Sequence, residues 1–237
     1  MNYLIFGGSC DLGKNFILEV VNNETNPFFF VSSSNEKNKK NLEIFLEENN
    51  INYLCFDCDF NNLKLSEIEI LKEKSIDHIY FFSAFTEIEN GKVSDEYLQK
   101  SLNINSFSII KIINNLLEKI ENKVLTLNFI SSVAAAVPKK KNYIYASSKI
   151  MIEHYLKSLK YYFGLKKPYI KIYRLGILSN KKFKNKFIAS DIGNVSKAIF
   201  KKQKLENNGI YYVPRIWRFI IIIILLLPNF IFKKINF

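Results

Sequence analysis

The sequence predicts an α/β fold with a doubly wound, mainly parallel sheet. Short apolar runs of strand length alternate along the chain with longer segments of helical period, a pattern typical of repeated βαβ units. A glycine-rich turn joins the first of these strands to the first helix. The length of 237 residues and the apolar share of 48% suit one compact domain with at most an appendage, which excludes a disordered chain and a large multidomain machine.

Each strand is predicted at a short apolar run, and each helix at a longer segment of helical period. Strands are predicted at residues 2–6, 28–31, 53–56, 78–82, 124–130 and 169–173. Helices are predicted at residues 13–22, 39–48, 66–74, 95–120, 145–163 and 192–202. The pattern weakens after Gly176 into a stretch rich in Lys and Asn at residues 180–186. We expect one domain over residues 1–212, followed by an apolar and basic tail over residues 213–237.

The charge balance gives little support to nucleic-acid binding. The chain has 34 Lys and Arg against 22 Asp and Glu, a formal net charge of +12, and clustered basic residues would bind a polyphosphate by releasing counterions. The excess is Lys rather than Arg and accompanies heavy use of Asn, Ile and Phe, so we expect a solvated basic surface. An anionic membrane is the better candidate partner, because basic residues become more frequent toward the C-terminus, beside an apolar run.

The cysteines and histidines indicate neither a disulfide scaffold nor a metal site. With three cysteines and no charged, apolar leader before the first strand, we expect a reducing, cytoplasmic location, with the inner face of the cell membrane as an option. Cys55 and Cys58 form a Cys-x-x-Cys, but a zinc site needs about four ligands and the only histidines are His78 and His154. We therefore expect no metal.

A turn of little side-chain bulk follows the first strand directly, with the sequence Gly-Gly-Ser-Cys-Asp-Leu-Gly at residues 7–13. Such a turn lets the backbone approach a pyrophosphate, whose charge the N–H groups and dipole of the next helix then stabilise. Its place between a first strand and a first helix favours a dinucleotide-binding loop over the alternative, an ordinary tight turn.

A second cluster combines a phenol, an amine and a hydroxyl. Tyr145 and Lys149 are four residues apart and share one face of a predicted helix. A nearby ammonium stabilises a phenolate and lowers the pKa of the phenol, so the pair can act as an acid/base device. Tyr-x-x-x-Lys alone is more often a solvated helix face, but Ser131 and Ser132 end a predicted strand shortly before it. A hydroxyl there could hold a carbonyl or hydroxyl oxygen next to the phenol.

Together these motifs resemble the short-chain dehydrogenase/reductase family, single-domain Rossmann-like enzymes that transfer hydride between a nicotinamide cofactor and an alcohol or ketone. The resemblance covers about residues 2–215 in motif order and spacing. It implies that Tyr145 is the catalytic acid/base, that Lys149 lowers its pKa and binds the nicotinamide ribose, and that Ser132 orients the substrate oxygen. The asparagine of the family's proton relay falls at Asn105, with Asn103 as an alternative register.

The resemblance also implies a set of cofactor contacts. They are Gly7, Ser9, Asp11, Leu12, Gly13, Ser33, Asp59, Phe60, Ala84, Tyr145, Lys149, Gly176 and Ile177. Asp59 would contact the adenine, or alternatively cap the following helix. The second strand ends in three serines followed by Lys37 rather than in an acidic residue, which favours NADP over NAD, and NAD stays open as the alternative.

Three positions depart from the family pattern. Asp11 replaces the middle glycine of the loop, and its carboxylate should weaken pyrophosphate binding unless it turns away to cap the helix. The segment after the fourth strand reads Phe-Ser-Ala-Phe at residues 82–85 and keeps only the family's alanine. Leu175 precedes Gly176 where the family has proline, and Asn180 stands where a threonine is frequent. None removes a proton-transfer group, so we expect an active enzyme.

The tail contains nine uninterrupted apolar residues at 219–227. As a helix they reach about 14 Å, roughly half the hydrocarbon thickness of a bilayer, so they do not span it. Basic and aromatic residues flank the run, namely Arg215, Trp217, Arg218, Lys233 and Lys234. This predicts an interfacial anchor on an anionic leaflet, with an oligomer interface or a helix that covers the sheet edge as alternatives.

The tail, from Tyr211 through the apolar run to Pro228, Asn229 and Lys233, is similar to the C-termini of short-chain reductases in cell-envelope polysaccharide and lipid-linked sugar synthesis. That subgroup includes the ketoreductase component of decaprenylphosphoryl-ribose 2′-epimerisation. The resemblance implies an NAD(P)-dependent oxidoreductase that interconverts a ketone and a secondary alcohol, on a small-molecule or lipid-linked keto-sugar, and that forms a homo-oligomer. A catalytically silent dinucleotide-binding or scaffolding protein at the membrane is the alternative, suggested by Asp11 and by residues 82–85.

Overall fold

A parallel sheet of seven strands forms the centre of the molecule in a computed structural model that describes residues 1–87, 89, 91–139, 141–164, 166–178, 189–228 and 231. Within this part of the chain the strand order is β3-β2-β1-β4-β5-β6-β9. These strands are β1 Asn2–Phe6, β2 Phe28–Ser33, β3 Asn52–Asp57, β4 His78–Phe81, β5 Thr126–Ser132, β6 Tyr169–Leu175 and β9 Gly209–Val213. A separate pair of two-residue strands comprises β7 Ile177–Leu178 and β8 Ala189–Ser190.

Helices connect the strands and cover both faces of the sheet. They are α1 Asp11–Val21, α2 Glu36–Glu48, α3 Ser66–Glu69, α4 Asp95–Leu102, α5 Ser108–Asn115, α6 Leu117–Lys123, α7 Tyr143–Phe163, α8 Ile192–Gln203 and α9 Ile216–Leu226. Short 3₁₀ turns cover Ile70–Glu73 and Val133–Ala136. The predicted α/β fold with a doubly wound, mainly parallel sheet is confirmed.

The apolar core lies on both sides of the sheet. In β1, Leu4 and Phe6 belong to a cluster that includes residues of α5 and α7, whereas Tyr3 and Ile5 belong to a cluster with residues of α1, α2 and α8. Successive side chains of a strand point to opposite faces, so a strand buried on both sides has an unbroken apolar run. This explains why the strands were predicted from short apolar runs.

The site of ligand binding follows from the strand order. β1 pairs with β2 on one side and with β4 on the other, so the chain reverses its direction of travel across the sheet at this point. In open α/β sheets a crevice forms there, at the carboxyl ends of the strands. The loops after Phe6 and Phe81 therefore lie side by side at the candidate site.

The predicted helix over residues 95–120 is interrupted. After α4 the chain makes a π-helical turn at Asn103–Phe107 before α5 begins, and α6 starts only at Leu117. In the π turn, Asn105 Oδ1 accepts from the backbone N–H of Phe85 at 2.9 Å, and Nδ2 donates to the Phe85 carbonyl at 2.8 Å. The apolar spacing continues through this region, so periodicity could not reveal a break held by contacts with a distant loop.

Two further elements differ from the sequence prediction. β2 continues to Ser33 rather than ending at residue 31, because Ser32 and Ser33 pair with Phe56 and Asp57. β9 was not predicted and was assigned in part to the tail, since a five-residue run next to the strongly apolar segment does not stand out as a separate strand. It forms the sheet edge beside β6.

The apolar segment of the tail forms α9 and packs on the domain. Its buried residues Trp217, Ile221 and Ile224 contact Val133 and Val137, which follow β5. Within the described ranges, no helix combines the length and the apolar character needed to cross a bilayer. Some predictions fall on residues outside the described ranges. These residues are Asn180, Asn229, Lys233, Lys234 and the stretch 180–186.

Candidate active site

A crevice of about 310 Å³ opens at the carboxyl ends of β1, β2, β3 and β4. It is lined by Gly7, Ser9, Cys10, Ser32, Ser34, Cys58, Asp59, Phe60, Phe82, Ser83, Ala84, Phe85 and Ile104. Of the predicted cofactor residues, the crevice brings together Gly7, Ser9, Asp59, Phe60 and Ala84. These come from three different loops, which the strand order places side by side.

The loop after β1 is compact because its glycines contact other backbone segments. Gly7 has a φ of +81°, and a Cβ there would lie 2.6 Å from the backbone nitrogen of Ser83. A Cβ at Gly13 would lie 2.9 Å from the Cα of Gly8. The loop after β1 thus packs tightly against itself and against Ser83. It leaves the crevice on its other side open.

The cap of α1 is not Asp11. Cys10 is the N-cap residue with an extended backbone, and its Sγ accepts from the Gly13 N–H at 3.3 Å. Asp11 is the first helical residue, is exposed, and is absent from the crevice lining. A carboxylate in the first turn interacts favourably with the helix dipole. The dipole therefore stabilises the Asp11 carboxylate outside the crevice, although Asp11 does not cap the helix.

The other predicted cofactor residues lie at the margin of the crevice or beneath it. Ser33 is buried, and its neighbours Ser32 and Ser34 line the crevice instead, because alternate strand residues point to opposite faces. Leu12 packs into the apolar core against the sheet. Gly176 and Ile177 follow β6, on the far side of β5 from the crevice lining.

Asp59 lines the crevice and also stabilises a turn. Its Oδ1 accepts from the Asn61 N–H at 2.9 Å. α3 begins only at Ser66, so Asp59 does not cap a helix. The alternative of a helix cap is therefore wrong, and the carboxylate remains beside the crevice.

Three of the four predicted catalytic residues, Ser132, Tyr145 and Lys149, lie where β5 ends and α7 begins. Ser132 is the last residue of β5, and its Oγ accepts from the Ala134 N–H at 3.1 Å. Burial raises the pKa of Tyr145, and the nearby Ser132 side chain lowers the pKa in part. The Lys149 Nζ lies 5.9 Å from the centre of the Tyr145 ring.

Lys149 is almost fully buried. Its Nζ donates to the carbonyl of Ile130 at 3.2 Å and lies 4.7 Å from the centre of the Phe129 ring. Burial lowers the pKa of Lys149 to about 7, and the Glu153 carboxylate raises the pKa in part. A lysine with such a pKa carries its charge for only part of the time at neutral pH, which limits how far it stabilises a phenolate.

The two asparagines of the alternative registers differ in their surroundings. Asn105 is fully buried in the π turn, bonded to the Phe85 backbone and to Ser101 Oγ at 3.3 Å. Asn103 donates from Nδ2 to the Asn61 carbonyl at 3.3 Å, in an exposed contact. The buried position and the local π geometry favour Asn105 as the site residue, and its amide holds the loop after β4 rather than Tyr145.

Glu89 was not identified from the sequence, although it directly contacts α7, the helix that contains Tyr145 and Lys149. It is 2% exposed, and its carboxylate accepts from the N–H groups of Ile144 at 2.8 Å and Tyr145 at 3.0 Å. The Tyr97 hydroxyl donates to the same carboxylate at 2.8 Å. Glu89 therefore satisfies two of the free N–H groups in the first turn of α7. A contact across 56 residues leaves no local signal in the sequence.

A second unpredicted carboxylate lies one turn beyond Lys149. Glu153 accepts from Ser131 Oγ at 2.6 Å and forms an ion pair with Arg174 at 2.6 Å. Arg174 also donates to the Tyr212 hydroxyl at 2.6 Å. This buried network joins α7 to β5, β6 and β9 next to the candidate site. The i, i+4 spacing of Lys149 and Glu153 was the one available sequence signal.

Cys58 and His78 are buried and Cys55 is partly buried, whereas Cys10 and His154 are exposed. His78 is buried with its Nδ1 2.8 Å from Thr126 Oγ1, and burial lowers its pKa to about 4. In the ranges that the structure describes, no three His, Cys, Asp or Glu side chains converge as metal ligands would.

The fold and the crevice define a dinucleotide-dependent α/β enzyme, and the sequence comparison gives the family. A family model described as short chain dehydrogenase matches residues 2–177. The chain therefore belongs to the short-chain dehydrogenase/reductase family, and it is an NAD(P)-dependent oxidoreductase of that family. A search of curated proteins finds no significant match.

Solved structures share the fold at low sequence identity. A short-chain dehydrogenase from Streptomyces avermitilis is 13% identical, with 89% of this chain and 86% of that chain covered and a TM-score of 0.73. The 3-oxoacyl-[acyl-carrier protein] reductase from Brucella melitensis is also 13% identical, with coverages of 90% and 89% and a TM-score of 0.73. The actinorhodin polyketide ketoreductase with NADPH is 11% identical, with coverages of 90% and 95% and a TM-score of 0.74.

Proposed function

We propose that the protein reduces a ketone to a secondary alcohol, or runs the reverse reaction, with Tyr145 as the acid/base. The Ser132 side chain next to the phenol, where it lowers the pKa of Tyr145, carries this proposal, because one substrate oxygen there would accept a hydrogen bond from each hydroxyl. Lys149 lies one turn further along the same helix, with its Nζ 5.9 Å from the phenol ring. A substrate oxygen between Ser132 and Tyr145 would contact both hydroxyls.

The residues of the crevice fit a dinucleotide. Gly7 and Ser9 line it beside the N-terminus of α1, whose N–H groups and dipole suit a pyrophosphate. Asp59 and Phe60 line the part next to β3, where an adenine would lie, and Ala84 leaves room after β4. When bound, the reduced nicotinamide supplies the hydride.

The chain's own groups would then control the proton. As negative charge grows on the substrate oxygen, Tyr145 gives up its phenolic proton to that oxygen and Ser132 donates a hydrogen bond to it. In its charged form, Lys149 stabilises the phenolate that remains. Asn105 would act as a positioning residue, since its amide fixes the backbone of Phe85 beside the crevice.

The alternative of a catalytically silent binding module has less support. It depended on Asp11 and on the altered segment at residues 82–85. Asp11 is exposed and outside the crevice lining, so its charge does not occupy the pyrophosphate position. Ser83 is in close contact with Gly7, and its small side chain keeps the crevice open. The proton-transfer groups are all present.

A substitution at Tyr145 tests the proposed role. Tyr145→Phe should lower turnover at least about a hundredfold, because it removes the one proton that the mechanism transfers. The dissociation constant for NADPH, measured by nicotinamide fluorescence, should stay within about threefold. Tyr143→Phe is the matched control, since Tyr143 is on the same helix and bonds to the Gly91 carbonyl at 2.7 Å. Retained turnover in Tyr145→Phe rules out the assignment.

We propose NADP rather than NAD as the preferred cofactor. Ser34 lines the crevice at the end of β2 and leaves space for a 2′-phosphate, and Lys37 is exposed in the first turn of α2. The structural relative solved with NADPH is consistent with this choice. Lys37→Glu should weaken NADPH binding about tenfold and leave NADH binding nearly unchanged, as measured by titration with each cofactor. Tighter binding of NADH by the unmodified protein would reverse the proposal.

We further propose a lipid-linked or cell-envelope keto-sugar as the substrate, and peripheral contact of α9 with the cytoplasmic face of an anionic membrane. Large apolar side chains on α9 face solvent, with Phe219 and Ile223 each 61% and Leu226 78% exposed. Arg215 and Arg218 are exposed where α9 begins. This combination suits the headgroup region of an anionic leaflet.

Self-association is proposed as well. Exposed aromatic residues near the end of α7, Tyr161 and Tyr162, are 82% and 62% exposed. Apolar surface of this kind on a helix favours packing against a second copy. Light scattering coupled to size exclusion gives the oligomeric state directly, and a monomer would remove this proposal.

A further inference from the structure

Glu153 is a buried carboxylate that the proposed mechanism does not use. It is 0% exposed and lies on α7, one turn beyond Lys149. Arg174 of β6 holds it through two contacts, with Nε 3.0 Å from Oε1 and Nη2 2.6 Å from Oε2. Ser131 Oγ donates to Oε1 at 2.6 Å. A charge removed from water persists only where such partners compensate it, so this network must balance its charges internally.

The charged and titratable groups around this network come from several elements. Those around Glu153 are Lys149 and Lys157 of α7, Arg174 of β6 and, behind the guanidinium, Tyr212 of β9. Those around the turn from Tyr145 to Lys149 are Glu153, the Phe129 ring and Ile130 carbonyl of β5 and, at the start of the helix, Glu89 from the loop after β4. Among the described residues, three cations therefore lie near the Glu153 carboxylate.

The charge of Lys149 depends on this carboxylate. The ammonium group is buried, and its hydrogen bond to the Ile130 carbonyl is to a neutral acceptor. Burial lowers the pKa of Lys149 to about 7, and Glu153 raises the pKa in part. The negative charge of Glu153 thus opposes the effect of burial on Lys149. Arg174 offsets part of that negative charge, because its guanidinium pairs with the same two oxygens.

We propose that Glu153 is a positioning residue of the candidate active site, which keeps the proton on Lys149 by its negative charge, and that Arg174 limits this effect by pairing with the same carboxylate. The balance between Glu153 and Arg174 then sets the fraction of Lys149 that is charged at neutral pH. The consequence for turnover rests on the proposed function, in which a charged Lys149 stabilises the phenolate of Tyr145. The inference adds two residues that control the proton donor without contacting the substrate.

The titration of Lys149 tests the proposal without any need for turnover. In protein labelled with ¹³C at the lysine Cε, NMR follows each lysine as the pH rises, and the Lys149 signal is the one that Lys149→Met removes. Glu153→Gln keeps the size of the side chain but not its charge, so the Lys149 midpoint should fall by about one pH unit. Arg174→Met leaves the carboxylate uncompensated, so the midpoint should rise by about one pH unit.

Opposite shifts distinguish control of charge from a merely structural role. Loss of either partner of a buried ion pair destabilises the fold, and it does so in the same direction for both variants. Tyr212→Phe is the matched control, because it removes one hydrogen bond of Arg174 and no ionised group. Its Lys149 midpoint should stay within about 0.2 pH unit of the unmodified protein, and Glu153→Asp, which keeps the charge, should restore most of the midpoint. An unchanged midpoint in Glu153→Gln, or shifts of the same sign in Glu153→Gln and Arg174→Met, would overturn the proposal.

A surface variant decides if a variant of the buried pair does not fold. Lys157 Nζ lies 3.8 Å from Glu153 Oε2, and 41% of the Lys157 side chain is exposed. Lys157→Met removes a cation that partly compensates Glu153, so the Lys149 midpoint should rise by about 0.3 pH unit at low salt. Lys160→Met, which removes an exposed lysine of the same helix, should leave the midpoint in place. No rise in Lys157→Met, or an equal rise in both variants, contradicts the proposal.

Turnover separates failure of this inference from failure of the proposed function. With NADPH and a panel of short-chain, cyclic and sugar ketones, the pH at which kcat falls on the alkaline side should be lower in Glu153→Gln and higher in Arg174→Met. Absence of NADPH binding or of any turnover in the unmodified protein contradicts the proposed function, and the NMR midpoints still decide the role of Glu153 and Arg174. Turnover with unshifted midpoints contradicts only that role.

Discussion

Lys149, for which we propose a role in catalysis, lies in an environment that disfavours its charge. The ammonium group is buried against the Phe129 ring and has the Ile130 carbonyl as a hydrogen-bond acceptor. The family resemblance implies that this lysine lowers the pKa of Tyr145, whereas burial raises the pKa of Tyr145 in the structure. The two statements agree if a charged Lys149 lowers the pKa of Tyr145 and a neutral Lys149 does not. The protonation state of Lys149 then controls the acidity of Tyr145.

The lowered pKa of Lys149 makes a prediction about stability. Its folded pKa of about 7 lies below the unfolded value of 10.5, so the unfolded chain binds more protons between these limits. The free energy of unfolding should therefore rise with pH between 7 and 10.5, by at most about 1.4 kcal/mol per pH unit from this group. Lys149→Met should lose this contribution. Urea unfolding at two pH values inside this window measures the difference between the two proteins.

A control identifies the source of the effect. Lys160→Met removes an exposed lysine from the same helix and should keep the pH dependence of the unmodified protein. Parallel pH dependences for the unmodified protein and Lys149→Met would contradict the assignment. Lys171, another buried lysine whose pKa burial lowers to about 8, contributes equally to both proteins and cancels in the comparison.

At the scale of elements, the position of α7 depends on residues outside it. Asn142, its N-cap residue, has a left-handed backbone with φ of 56° and makes no side-chain cap to the helix. Glu89 supplies the missing acceptors from the loop after β4, and Ser106 Oγ donates to the Ser148 carbonyl at 2.6 Å from the π turn. The helix that carries Tyr145 and Lys149 is therefore held by two contacts from distant segments.

Replacement of the capping carboxylate should affect both stability and chemistry. Glu89→Gln loses charge and places an amide near backbone N–H groups, so the free energy of unfolding should fall by roughly 1–2 kcal/mol. Removal of a negative charge near Tyr145 should also shift the pKa that governs kcat to a lower value. The pH profile of kcat measures this shift. Tyr97→Phe is the control, because it keeps the Glu89 carboxylate and should leave the pH profile of kcat unchanged. If Glu89→Gln also leaves this profile unchanged, Glu89 has only a structural role.

At the scale of the whole molecule, the strand order decides which surfaces can act together. The crevice lies at the switch between β1 and β4. Beyond it, β5 ends at Ser132, α7 carries Tyr145 and Lys149, and α9 follows the edge strand β9. A membrane that contacts α9 would therefore lie on the substrate side and not on the cofactor side. The net charge of +12 adds attraction to an anionic surface.

Vesicle flotation tests this arrangement. The protein should float with vesicles that contain phosphatidylglycerol and less with pure phosphatidylcholine, because both apolar contact and charge contribute. The double substitution Phe219→Glu and Leu226→Glu should abolish most flotation, since both residues are exposed on α9. Ile44→Glu, at an exposed apolar position of α2, is the matched control. Equal flotation of the double variant would remove the anchor, and loss of a dimer in that variant would assign the face to self-association.

The fold was predictable from the sequence because strands buried on both faces are short apolar runs, as in β1 and β4, and because α1 and α8 have helical period. Boundaries and breaks were less predictable. The π turn at Asn103–Phe107 and the edge strand β9 depend on contacts with Phe85 and β6, respectively, and neither contact changes the local apolar pattern.

The sequence by itself determined the class of the protein, since the glycine turn after β1, Tyr145, Lys149 and Ser132 are short motifs whose spacing can be read directly. The tertiary structure alone decided which distant groups support them. Glu89 reaches the first turn of α7, and Trp217 closes on Gly176, across 56 and 41 residues of chain. Such contacts arise when the sheet brings the ends of separate strands together, and a linear pattern carries no record of them.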